Sequence, residues 1–497
     1  MKKILSLLLA IIMVFTCISV ALATDGTKQT CPLIYIPGFT SSDIYTDVTD
    51  KSTYAGFPGT DDIIAVVTDT ILPALVKYAI DKDTDKLTDT VTKRINKIFD
   101  GWFNDITGDA KPGSGIIPEE LTDVTAKSEL VFRYDWRADP MVIADELNAY
   151  IEKVCKLSGC DKIALGCHSL GSTIALAYLT KYGNSRVSGM VFDSPACNGV
   201  ALIGNVLTGK VNLDADGIAY YLKTYLGESE YNRLISSLID IFKSAGLLDL
   251  FSLFADMVIA ELAPGIYRGT VIPLVACWPT IWSMLPDDKV DDAKAFVFDE
   301  IMKDQDMTAL EKKIDSYNKT VRANRVKTLK AYNAVGNFAI LSRYSDQTIP
   351  LRGSADLIGD TIIETKSTSF GATTAPIGDY FSDDYLKSKN SAYISPDKTV
   401  DASTCLFPEQ TWFIKDSGHF ETGGVTELYY PMFLFAKEEL TCDTAELSRF
   451  TYRDEATYTL VEDTTTPEKF ESTSLIKSAY DFIGALIEVV VNLFDKI

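Results

Sequence analysis

Histidine is almost missing from this sequence: His168 and His419 are the only two among 497 residues. Any reaction that needs an imidazole has two places to find one. Basic residues are also in short supply, 47 Lys and Arg against 69 Asp and Glu, a formal charge of −22. A surface of that sign excludes nucleic acids and anionic polymers as partners, since both demand a basic face. Past the N-terminus no apolar run is long enough to span a bilayer. The strongest, Ile63 to Ile80, is broken by Asp69 and Pro73 and reads as helical cover for the core or for the mouth of a site. Internal repeats are absent, and the cysteine spacings show no zinc pattern, so no metal or other cofactor is expected.

Apolar material is plentiful. Hydrophobic residues make up 46% and aromatics 11%, which supports a large core, and the length suits two or three domains or one elaborated core. Lys2-Lys3, the apolar run from Ile4 and Ala21-Leu22-Ala23 have the pattern of a signal peptide over 1–23, so a secreted protein is expected. Cys17 lacks the small residue that a lipoprotein signal places before its cysteine. Removing the leader leaves 45 basic and 69 acidic residues, a charge of −24, and eight cysteines. That even count permits disulfides, Cys405–Cys442 among the possible pairs, and equally permits free buried thiols.

The rest of the chain is organised around Lys162 to Gly183. Ile163-Ala164-Leu165 is a short buried-strand run, Leu170 to Tyr182 has helical spacing, and Gly183 is a helix stop. Between them stands Cys167-His168-Ser169-Leu170-Gly171. A serine on a strand-to-helix turn flanked by small residues is the pattern of a nucleophile elbow, here with Cys167 where glycine is usual. A serine that only caps the following helix is the alternative. Earlier, Pro32 to Phe39 is a strand entering a Pro-Gly turn. The backbone N–H groups of Phe39 and Leu170 are then the candidate oxyanion hole. Leu130 to Arg137 reads as a further strand, and Asp139-Pro140 opens a helix that stops at Gly159. Later strands are expected at Met190–Phe192, Phe338–Leu341 and Trp412–Ile414, with a closing helix over 428–440.

Tyr134-Asp135-Trp136-Arg137, about thirty-five residues before an H-S-L-G elbow and after a Pro-Gly strand turn, resembles the lecithin:cholesterol acyltransferase family. Cys277-Trp278-Pro279-Thr280-Ile281-Trp282 and Asp346-Gln347-Thr348-Ile349-Pro350 fit the same resemblance. It implies an α/β-hydrolase fold, with a mostly parallel central sheet, helices on both faces and a large helical cap, and an activity as lipase, phospholipase or acyltransferase. Asp135 and Arg137 read as a structural ion pair. The expected organisation is a core over 24–198 interrupted at 42–128, a helical cap over 199–330, and the second part of the core over 331–441. A linker over 442–473 and an amphipathic helix over 474–497 follow.

The histidine count assembles the site. His168 adjoins the nucleophile on a tight turn and points away from it, so His419 must be the base of Ser169. The acid is expected to be Asp346, which ends a strand in the resembling motif, in preference to Asp193. Ser169, Asp346 and His419 would form an acyl-enzyme, resolved by water or an alcohol. A lipid or other ester is the expected substrate, with membrane-surface contact through the cap and the terminal helix. Two other readings stay open: an esterase or amidase of non-lipid substrates, and an inactive binding protein on a hydrolase fold.

Overall fold

The computed structural model describes residues 29–466, apart from 57, 59–61, 63–64, 67–68, 71, 225–238, 240–241, 355–356, 439 and 455. The leader expected over 1–23 and the helix expected over 474–497 lie outside the described residues.

Among the described residues eight strands form one sheet: β1 (Leu33–Ile36), β2 (Glu129–Val131), β3 (Ile163–His168), β4 (Val187–Asp193), β5 (Asn337–Tyr344), β10 (Thr411–Lys415), β11 (Phe450–Arg453) and β12 (Leu460–Glu462). Two small ribbons, β6 (Asp346–Gln347) with β7 (Ile358–Gly359) and β8 (Thr373–Thr374) with β9 (Val400–Asp401), lie outside it. The sheet order is β12-β11-β10-β5-β4-β3-β1-β2, parallel at every pairing except β11 with β12. Strands covered on both faces favour near-continuous apolar runs. β3 and β4 are buried almost throughout, with His168 and Asp193 as polar residues at their carboxyl ends and Ser188 near the start of β4.

The helices around the sheet have legible causes. α1 (Leu72–Asp81) and α2 (Thr84–Ile98) lie in the 42–128 interruption. α3 (Pro140–Ser158) begins where the Asp139 carboxylate accepts the N–H of Met141, and it ends at Gly159, whose φ of 71° suits a residue without a Cβ. α4 (Leu170–Tyr182) is buried along nearly its whole length, consistent with its place under the sheet. Between β4 and β5 runs a largely helical segment that includes α5 (Leu247–Ile266). α2 packs on α5 and the turn after it so closely that a Cβ on Gly265 or Gly269 would meet Thr88 or Thr92. α6 (Val425–Leu434) closes the other face, with the Tyr430 ring lying over Gly166 of β3. No described helix is long and apolar enough to cross a membrane.

Two expectations are corrected. The strand expected over 130–137 ends at Val131, because Asp135 turns the chain by accepting the Ala138 N–H on its carbonyl and binding Arg137 through both carboxylate oxygens. That pair is structural, as the sequence suggested, and Arg137 is fully buried. The expected linker also contains β11 and β12, which extend the sheet by burying Phe450 and Leu460. All eight cysteines among the described residues are free thiols, Cys405 and Cys442 included.

Candidate active site

The carboxyl ends of four central strands share a strained backbone turn. β3, β4, β5 and β10 each hand over directly to a residue with positive φ: Ser169 (52°), Ser194 (46°), Ser345 (86°) and Asp416 (49°). None is glycine, so each costs on the order of 1 kcal/mol or more and persists only because its surroundings fix it. At Ser169 the turn lifts the side chain out of β3 and begins α4 at once. Gly171 makes this possible, since a Cβ there would stand 2.1 Å from the Ile36 carbonyl oxygen. Gly38 is needed equally, because a Cβ would come within 2.9 Å of the Ser169 Cβ.

Ser169 Oγ lies 2.9 Å from Nε2 of His419. The carboxylate on the other side of that ring is Asp360. Its Oδ2 is 2.7 Å from His419 Nδ1, and its Oδ1 accepts the N–H groups of Ile362 and Ile363 at 3.1 and 2.7 Å. The His419 N–H also donates to the Asp360 carbonyl at 2.7 Å. Asp346 does not occupy this place. It opens β6, and the chain runs out through that ribbon and back along β7 before it reaches the histidine, so the returning strand delivers Asp360. The Gly359-Asp360 step after a short apolar strand was the available signal, and the motif resemblance drew attention fourteen residues upstream.

Burial alone would push the Asp360 carboxyl upward. The His419 ring, its hydrogen bond, the Ile363 N–H and the Arg343 charge outweigh that and hold it below the usual carboxylate range. Asp346 moves the other way, pushed up to about 7 by burial and by the charges of Asp416, Glu421 and Asp360. Asp193, the other candidate acid, is fully buried and bound to Arg343, and it accepts the Tyr430 hydroxyl at 3.1 Å. Arg343 reaches Ser417 Oγ and the Glu421 carbonyl at 3.2 and 3.3 Å, the two positions that bracket His419.

Among the described residues, nothing accepts the backbone N–H of Phe39 or of Leu170. Both flank the Gly38–Ser169 contact, where an oxyanion could collect two donors. The Phe39 ring is set by Trp136, Trp278 and Trp102, at centroid distances of 4.6, 5.6 and 6.5 Å. Two of the segments that carried the resemblance therefore form the wall behind the Pro-Gly turn. No described group of three or more His, Cys, Asp or Glu is arranged to hold a metal ion.

Residues 61–216, which include Ser169, match the family described as alpha/beta hydrolase fold. Together with the mostly parallel eight-stranded sheet and its flanking helices, this identifies the fold as that of the α/β-hydrolases. None of the curated proteins matches. Among solved structures, one titled "The crystal structure of Tle4-Tli4 complex" is 16% identical over 36% of this chain, with a TM-score of 0.20. The match spans 48% of that chain, about half its length.

Proposed function

We propose that this chain, with its α/β-hydrolase fold, is a serine esterase acting on lipid acyl esters, with Ser169 as nucleophile, His419 as base and Asp360 as acid. The observation that carries the reading is the unbroken hydrogen-bonded series Ser169 Oγ, His419 Nε2, His419 Nδ1 and Asp360 Oδ2. In the first step Ser169 Oγ attacks the ester carbonyl while His419 Nε2 takes its proton. Asp360 keeps the Nδ1 proton in place and stabilises the imidazolium. The N–H groups of Phe39 and Leu170 receive the oxyanion, and the imidazolium returns its proton to the departing alcohol. Water, or an acceptor alcohol, then releases the acyl group from Ser169.

Support for a lipid substrate comes from the apolar sequence of α5 in the segment between β4 and β5, where lids are inserted in this fold, and from the aromatic wall at the oxyanion turn. The resemblance to the lecithin:cholesterol acyltransferase family favours acyl transfer to an alcohol beside hydrolysis, and the leader pattern favours export. The test is turnover of short p-nitrophenyl esters and of mixed glycerides and phospholipids by wild type and Ser169→Ala. Wild type should release fatty acid, and the variant should lose on the order of 10⁴-fold or more in kcat. An undiminished Ser169→Ala enzyme would refute the mechanism. Turnover of soluble esters with no lipid product would restrict the substrate.

A further inference from the structure

Both histidines of the chain meet at one point, although 251 residues separate them. Their ring centroids are 4.9 Å apart, and His168 Nε2 lies 2.9 Å from the backbone carbonyl oxygen of His419. A carbonyl can only accept, so Nε2 of His168 carries the proton and the ring is a donor there. Its other nitrogen faces Gly38, where an added Cβ would stand 3.1 Å away. His168 makes no hydrogen bond to Ser169 and so has no route to the nucleophile's proton.

This contact completes a grip on the backbone of His419. The N–H of His419 is bound by the carbonyl of Asp360, and its carbonyl is bound by the residue that precedes Ser169. The backbone of the base is thus tied on one side to the segment carrying its acid and on the other to the turn carrying its nucleophile. We propose that His168 is a positioning residue, whose Nε2–H holds the His419 carbonyl so that the His419 ring faces Ser169 and Asp360 together. This rests on the serine-esterase reading only for its kinetic consequence. The ring must stay neutral to serve, since a second cation beside the imidazolium that forms on His419 would oppose catalysis. Burial and the neighbouring His419 drive the His168 imidazole down to about 4, against the opposing pull of Asp193 and with Arg343 also lowering it.

With two histidines in the chain, imidazole NMR reads both without ambiguity. In wild type at pH 7 the His168 ring should be the neutral Nε2–H tautomer and should stay neutral down to about pH 4. A His168 ring that carries its proton on Nδ1, or titrates near 6.5, would overturn the inference. The paired variants are His168→Gln, which keeps an N–H donor of similar reach, and His168→Phe, which keeps a planar ring without one. His168→Phe should lose on the order of 10²-fold in kcat with KM little changed, and should lose or broaden the deshielded Nδ1–H signal of His419. His168→Gln should recover both, which a purely space-filling role would not produce. A folded His168→Phe with unchanged kcat and an unchanged His419 signal sinks the proposal. Should wild type hydrolyse no ester at all, the functional reading fails, while the tautomer and the His419 signal still decide this one.

Discussion

At the scale of single residues, the test falls on two aspartates fourteen positions apart. Asp360→Asn should leave the fold intact and lower kcat on p-nitrophenyl esters by on the order of 10⁴-fold, because an amide stabilises the wrong imidazole tautomer. Asp346→Asn should stay within a few-fold of wild type, and the same assay with equal losses would disprove the assignment. Ser169 was legible in the sequence because an elbow is a local pattern: strand, small residues, helix. His419 was legible by count, with one histidine left once geometry excluded its neighbour. Asp360 was legible only as a Gly-Asp step after a short apolar run, because the two-residue ribbon that brings it to the histidine has no composition signature of its own. The same loop geometry leaves Asp193 free for another task, which sequence position alone could not separate from catalysis.

Between elements, that task is the buried pair of Asp193 and Arg343, which fastens the end of β4 to β5 and reaches the turn after β10. Arg343→Met would strand an ionised carboxylate with no exposure to water. The expected cost is about 3–5 kcal/mol, measured as a lowered denaturant midpoint. Replacing both members with leucine should recover much of that loss, because two buried charges are costly to desolvate even when paired. Should the double variant be as unstable as the single one, the pair contributes more than mutual neutralisation. Periodicity located the elements well where one face or both are buried, as in α3, α4 and β3. It failed for β11 and β12, where strands of four and three residues, with Tyr452, Val461 and Glu462 turned to solvent, are too short to show a period around the buried Phe450 and Leu460. It overran at β2, where the Asp135–Arg137 contact turns an apolar run away from the sheet.

For the whole molecule, two groups shifted in opposite senses give opposing dependences of stability on pH. His168 has its folded value near 4 against 6.5 for a free imidazole, so the unfolded chain binds more protons between those limits. Its contribution, on the order of 3 kcal/mol, is present above 6.5 and is lost as pH falls towards 4. Asp346 is pushed up to about 7 from 3.8, so there the folded chain binds more protons, and stability is lost as pH rises through that window. Asp346→Asn should therefore match wild type near pH 4 and exceed it increasingly up to about pH 7, as read by thermal unfolding at a series of pH values. Equal stability of the two proteins at pH 8 would show that Asp346 is not held protonated.

The strand order has a consequence for how the chain could be divided. β1 to β4 fill one half of the sheet and β5, β10, β11 and β12 the other, with the seam between β4 and β5 and the long helical segment as the only covalent link across it. Ser169 and its neighbour His168 belong to the first half, Asp360 and His419 to the second. A break in the linking segment would leave two polypeptides, each with a contiguous block of strands and neither with a complete proton path. Activity would then report their reassociation, which makes this architecture a natural starting point for a split-enzyme complementation sensor.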